Sequence, residues 1–182
     1  MTSVFIGGSR AVSRLNSAIR ERLDDLIQKR CQILIGDANG ADRAVQQHLA
    51  ERGYRDVTVF CMDRCRNNVG DWPVRKINAH TTRRDFSYFV QKDIAMAGEA
   101  GCGFMLWDGK SKGTLHNMMN LVGAGKKVLV YFALDKRIHK LSNDQDLQTL
   151  LARCDRREIA RIRSSLATLP NRSQSQLELH TQ

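Results

Sequence analysis

The chain has 182 residues, of which 42% are hydrophobic and 26% charged. That suits one globular domain with its own core and excludes an intrinsically disordered or low-complexity chain. Lysine and arginine total 29 against 19 acids, a net charge of +10, which favours anionic partners such as nucleotides or nucleic acid.

The first apolar run, Ser3–Ile6, reads as a strand and is followed by Gly7-Gly8-Ser9-Arg10. The segment Met1–Gly7 has no basic n-region or cleavage site, so a cytoplasmic protein is expected. Ser13 to Lys29 places Leu15, Ile19, Leu23, Leu26 and Ile27 at helical spacing, with Ser13 as the expected N-cap. Ile33-Leu34-Ile35 is a second strand, ended by Gly36-Asp37-Ala38-Asn39-Gly40. Ala41 to Arg52 reads as a helix closed by Gly53, and Val57–Phe60 as a third strand. Residues 61–81 break the rhythm with Asn67, Asn68, Gly70, Asp71 and Pro73. A loop of that length is usually functional or mobile.

Thr82 to Ala100 resumes as a helix, with Phe86, Phe89, Val90, Ile94 and Ala97 on its apolar face. Cys102–Trp107 is a fourth strand, ended by Asp108-Gly109-Lys110-Ser111-Lys112-Gly113. Thr114 to Ala124 is a helix and Lys127–Phe132 a fifth strand. Residues 142–167 read as one or two further helices. No apolar run approaches the ~20 residues a bilayer span needs.

Apolar strands alternating with helices imply βαβ units and a parallel sheet covered on both faces. The expected fold is α/β: a doubly wound, mainly parallel, five-stranded Rossmann-like sheet in the order 3-2-1-4-5, with extra C-terminal helices. Residues 1–133 form that domain, 134–169 its helical extension and 170–182 a flexible tail. Five scattered cysteines include no CxxC pair, and the lone CxxxC at Cys61 and Cys65 lacks zinc-finger spacing. Reduced thiols and no metal centre are expected.

In such a sheet, ligands bind beyond the C-terminal strand ends where strand order reverses. Three glycine-bearing loops lie there, after the first, second and fourth strands. Glycine lets backbone N–H groups approach a phosphate, and the next helix N-terminus favours an anion. Arg10, Lys110 and Lys112 are placed to pair with phosphate oxygens. The same glycines also serve tight turns, and the cations can equally be solvated surface.

The runs Ile6-Gly7-Gly8-Ser9-Arg10, Gly36-Asp37-Ala38-Asn39-Gly40-Ala41-Asp42 and Trp107-Asp108-Gly109-Lys110-Ser111-Lys112-Gly113-Thr114 resemble the SLOG superfamily. That group includes the LONELY GUY hydrolases and the DNA-processing protein DprA. The likeness covers roughly residues 3–132 and is to small stand-alone members with a G-x-x-x-G-A-D signature. It implies a Rossmann-like fold, a nucleotide-type ligand across these loops, and a homodimer or higher oligomer.

The ligand set so assigned is Gly7, Gly8, Ser9 and Arg10; Gly36, Asp37, Asn39, Gly40 and Asp42; and Asp108, Gly109, Lys110, Ser111, Gly113, Thr114 and Asn117. The LONELY GUY hydrolases carry a catalytic Glu three residues after the Thr of their glycine loop. Here that position is Asn117, and an amide cannot act as carboxylate nucleophile or base. Asp108 is the remaining catalytic candidate. Asp37 and Asp42 are read first as turn and cap residues. His48 is read as a packed histidine, Trp72 as either a stacking or a plugging side chain, and His80 as a candidate ligand contact.

Three functions stay open. The first is a sensor or carrier of a nucleotide or nucleotide-derived small molecule, with Mg²⁺ accompanying a bound nucleotide as the one cofactor considered. The second is an N-glycosidic or phosphate-bond hydrolase using another acid. The third is DprA-like binding of single-stranded nucleic acid.

Overall fold

The computed structural model describes residues 2–78 and 84–169. His80, Arg83, the expected helix start at Thr82 and the 170–182 tail lie outside the described residues. Among the described residues the sheet has seven strands: β1 (Ser3–Gly8), β2 (Gln32–Gly36), β3 (Val57–Cys61), β4 (Val74–Lys76), β5 (Cys102–Trp107), β6 (Val128–Phe132) and β7 (Arg137–Leu141). Its order is β4-β3-β2-β1-β5-β6-β7. All pairings are parallel except β6 with β7. The five expected strands occupy the centre in the expected order, and a short strand is added at each edge.

Among the described residues, six helices cover the sheet: α1 (Ser17–Gln28), α2 (Ala41–Glu51), α3 (Phe86–Glu99), α4 (Lys112–Gly123), α5 (Asp144–Leu151) and α6 (Arg156–Ala167). One core layer joins Ile19, Leu23, Val45 and Leu49 of α1 and α2 to Ile6, Ile33, Ile35 and Phe104. The opposite layer joins Met96, Leu115, Met118 and Leu121 of α3 and α4 to Phe5, Leu34, Met105 and Trp107. Alternate residues of each central strand therefore face opposite layers, and both layers are apolar. Leu147, Leu150, Ile159 and Ile162 of α5 and α6 join the second layer. The 134–169 region thus shares the core, and it begins with a strand, where helices alone were expected.

Local chemistry sets the boundaries. Asn16, not Ser13, caps α1, because its side chain accepts from Ile19 N–H at 3.0 Å while its amide donates to Tyr131 Oη at 2.8 Å. Asp85 caps α3 by accepting from Ser87 N–H at 2.9 Å. The 61–78 segment contains β4, and Trp72 anchors it: the indole is 4% exposed and donates to the Tyr54 carbonyl at 2.8 Å. Trp72 is therefore a plug, not a stacking platform. Cys61 and Cys65 are joined as a disulfide, which corrects the all-thiol expectation at this pair; Cys31, Cys102 and Cys154 are free. No helix among the described residues is long and apolar enough to cross a membrane.

Close approach of backbone fixes β1 against its neighbours. A Cβ on Gly8 would stand 2.5 Å from the Leu106 carbonyl oxygen and 2.8 Å from Ala41 Cβ. Both are held by secondary structure and cannot swing aside. Gly8→Ala should therefore destabilise the fold by about 1–3 kcal/mol. Urea unfolding measures it, and an unchanged midpoint would show that the β1–β5 contact is looser than described.

Candidate functional site

The C-terminal ends of β1, β2 and β5 open onto a cavity of about 660 Å³, walled by the start of α4 and one side of α3. It lies where strand order reverses between β1 and β5. Gly7, Gly8, Ser9, Arg10, Asp42, Asp108, Ser111, Gly113 and Asn117 of the sequence-assigned set line it, as does Lys112. Gly36, Asp37, Asn39, Gly40, Gly109, Lys110 and Thr114 do not.

The residues of the second group hold the loops in shape. Asp37 is 1% exposed and receives the Arg66 guanidinium at 2.6 and 3.1 Å, together with Arg66 N–H at 3.1 Å. Burial alone would raise its carboxyl; the Arg66 bonds override that and hold it below the usual carboxylate range. Asn39 Oδ1 accepts from Asn67 at 3.0 Å. Gly40 has φ +81°, and its Cα lies against the Arg10 backbone with no room for a side chain. Gly109 has φ +82° in the β5–α4 turn, and Thr114 Oγ1 donates to Ser111 Oγ at 2.9 Å. Lys110 stands exposed beside that turn.

Several residues in the cavity wall are also committed. Ser9 Oγ accepts from Ala11 N–H, and the Ser9 carbonyl accepts from Val12 and Ala41 N–H. Asp108 Oδ1 accepts from Lys110 N–H at 3.0 Å and Ser111 N–H at 2.8 Å, a turn-forming role that takes one oxygen of the proposed catalytic acid. Ser111 caps α4. Lys112 Nζ donates to Ser165 Oγ at 2.6 Å and lies 4.0 Å over the Phe86 ring. Arg10 is exposed at the rim and has no hydrogen-bond or ion-pair partner among the described residues.

The floor carries chemistry that the loop motifs do not announce. Lys92 and Asp93, from the middle of α3, line it with Asp42 and Asn117. Lys92 is 4% exposed, and its Nζ donates to Asp93 Oδ1 at 2.6 Å. Burial alone would lower the ammonium, but the Asp93 and Asp42 carboxylates reverse that and hold it above its ordinary value. Asp42 is 5% exposed and accepts from Ala38 N–H at 3.1 Å. Burial pushes its carboxyl up to about 6, against the pull of Lys92. Gly36 makes the meeting possible: a Cβ there would stand 2.5 Å from Asp42 Oδ2 and 2.9 Å from Lys92 Nζ.

Asn117 is 5% exposed, and its Nδ2 donates to Asp93 Oδ2 at 3.4 Å. Its Oδ1 is buried with no hydrogen-bond partner among the described residues. Arg66, stacked 5.1 Å over Phe89, closes one side. The Lys92 signal was present in the sequence, because a lysine between Tyr88 and Met96 at steps of four falls on a buried stripe. Among the described residues, no group of three or more His, Cys, Asp or Glu converges to hold a metal ion. His48 is packed as expected, 2% exposed with Nε2 2.8 Å from Asp24.

No family model matches the chain, and no curated protein matches it. Among solved structures it is similar to DNA processing protein A from Helicobacter pylori, described for its single-stranded DNA binding mode. The TM-score is 0.55 at 12% identity, covering 93% of this chain and 82% of that one. At that identity the likeness establishes a shared Rossmann-like fold.

The Asp42 carboxyl gives a signed pH dependence. Its folded value, about 6, lies above the ordinary aspartate value of 3.8. Its contribution to stability is fully present below the unfolded value and lost as pH rises through about 6. Asn in its place keeps an acceptor for Ala38 N–H but does not titrate. Wild type should therefore lose up to about 3 kcal/mol relative to Asp42→Asn between pH 4 and pH 8. Denaturant unfolding across that range reads the difference, and a gap that does not change with pH would place Asp42 outside the buried cluster.

Proposed function

We propose that this protein binds a phosphate-bearing, nucleotide-type small molecule in the cavity at the β1–β5 switch point, as a sensor or carrier. The observation that carries the reading is a cavity with a cation at its rim and an acceptor buried on its floor, neither of which has a partner among the described residues. A volume of about 660 Å³ suits a small ligand. Arg10 supplies a charge that no described residue neutralises. The α4 N-terminus, with Ser111, Lys112 and Gly113 in the wall, adds N–H groups and a favourable dipole for an anion. Binding is favoured over glycosidic hydrolysis, because Asn117 stands where the family resemblance implies a Glu and Asp108 is partly used by its turn.

One observation favours a second reading. The DprA structure that shares this fold is described for single-stranded DNA binding, and this chain carries a net charge of +10. Salt separates the two. A strand that contacts several phosphates releases several counterions, so its affinity falls steeply with salt, whereas a single phosphate gives a shallow slope.

Titration calorimetry with nucleoside 5′-monophosphates tests the first reading. Wild type should bind at least one of them with a shallow salt slope. Arg10→Ala should weaken it by about 1–3 kcal/mol. No heat with any monophosphate, together with steep salt-dependent binding of an oligodeoxythymidine, would replace this reading with the second.

A further inference from the structure

We propose that the cavity takes its ligand with one polarity: an uncharged or cationic end bearing hydroxyl or amino donors sits on the Asn117–Asp93–Asp42 floor, and the anionic end stays outside at Arg10. This rests on the small-molecule reading above and adds the ligand's orientation and the chemistry of its buried end.

The floor is built to receive donors. Asn117 Nδ2 is committed to Asp93 Oδ2, which fixes the side-chain amide and leaves Oδ1 as the free atom. A buried acceptor without a partner costs stability, and the cost is recovered when a ligand N–H or O–H fills it. The floor is also a poor place for a phosphate. Its buried cation, Lys92, is bonded to Asp93 and has Asp42 beside it, so two carboxylates face one ammonium. One ammonium shared between two acidic side chains leaves no cation to spare for a phosphate. The neighbouring Asp37–Arg66 pair is internally neutral and adds none. A phosphate driven onto this floor would lose water and meet like charge.

The rim has the opposite character. Arg10 has no partner among the described residues, and the β1 loop that carries it is pinned by the Ser9 N–H bond to the Leu106 carbonyl at 2.9 Å. The backbone that carries the cation is thus held in place relative to the floor, so the two ends of a ligand are sorted by charge. A phosphorylated sugar or nucleoside fits: phosphate outward, sugar hydroxyls or an exocyclic amine inward. A site that spends a buried acceptor on a donor rejects analogues lacking that donor far more strongly than apolar packing can.

The experiment compares the four ribonucleoside 5′-monophosphates with their unphosphorylated nucleosides, by calorimetry on wild type, Arg10→Ala and Asn117→Leu. Arg10→Ala should weaken the monophosphate but leave the nucleoside within about twofold. Asn117→Leu should weaken both by roughly 5- to 100-fold. Asn117→Ser, with a shorter side chain, replaces it if the leucine variant does not fold. If the monophosphates bind wild type but Asn117→Leu leaves or strengthens their binding, the phosphate lies on the floor and the polarity is wrong, while the pocket reading stands. If Arg10→Ala weakens nucleoside and monophosphate equally, the rim does not sort by charge and the polarity again fails. If wild type binds none of the eight compounds, the pocket reading fails, and the polarity with it.

Discussion

The Lys92 ammonium is buried, and a buried ammonium is stable only where carboxylates and acceptors replace the water it has lost. Much of the sheet's C-terminal edge is arranged to meet that demand. Asp93 takes one bond from it directly, and Asp42 approaches from α2 because Gly36 has no side chain in the way. Asp42 in turn fixes the β2 loop through Ala38 N–H. Asn117 reaches across from α4 to the other oxygen of Asp93. One buried charge therefore ties α2, α3, α4 and the β2 loop into a single floor. The remaining imbalance, a raised Asp42 carboxyl and a buried Asn117 oxygen with no partner among the described residues, sits on two residues that line the cavity.

The loops above that floor divide between shape and recognition. Gly8, Gly40 and Gly109 stand where a close approach or a positive φ leaves room for glycine. Asp37, Asn39, Ser9 and one oxygen of Asp108 are consumed by hydrogen bonds that hold the loops. What is left over for a ligand is Arg10, the α4 N-terminus and the floor. A glycine-rich loop after a strand is thus only a frame; the groups without partners inside it carry the recognition.

This division explains what the sequence could reveal. The five central strands and their order were legible because Ile33–Ile35 and Phe104–Trp107 are continuous apolar runs and Val57–Phe60 is interrupted only by the half-buried Thr58. The edge strands were not. Val74–Lys76 is exposed at all three residues, and Arg137–Leu141 is polar enough to pass for a loop. The three loops were found by their glycines, but glycine reports backbone geometry and cannot separate lining from scaffolding. Lys92 and Asp93 escaped because the apolar periodicity followed Phe86, Phe89, Val90, Ile94 and Ala97, whereas Lys92 is buried on another side of the helix with Tyr88 and Met96. The Cys61–Cys65 link has no signature in a lone CxxxC spacing.

A crystal structure of the protein grown with a nucleoside 5′-monophosphate tests the central claim most directly. The account predicts one ligand in the β1–β5 cavity, its phosphate within hydrogen-bond distance of Arg10 and a hydroxyl or amino donor on Asn117 Oδ1. A ligand bound elsewhere on the basic surface, with the cavity holding only water against Asn117, would contradict it.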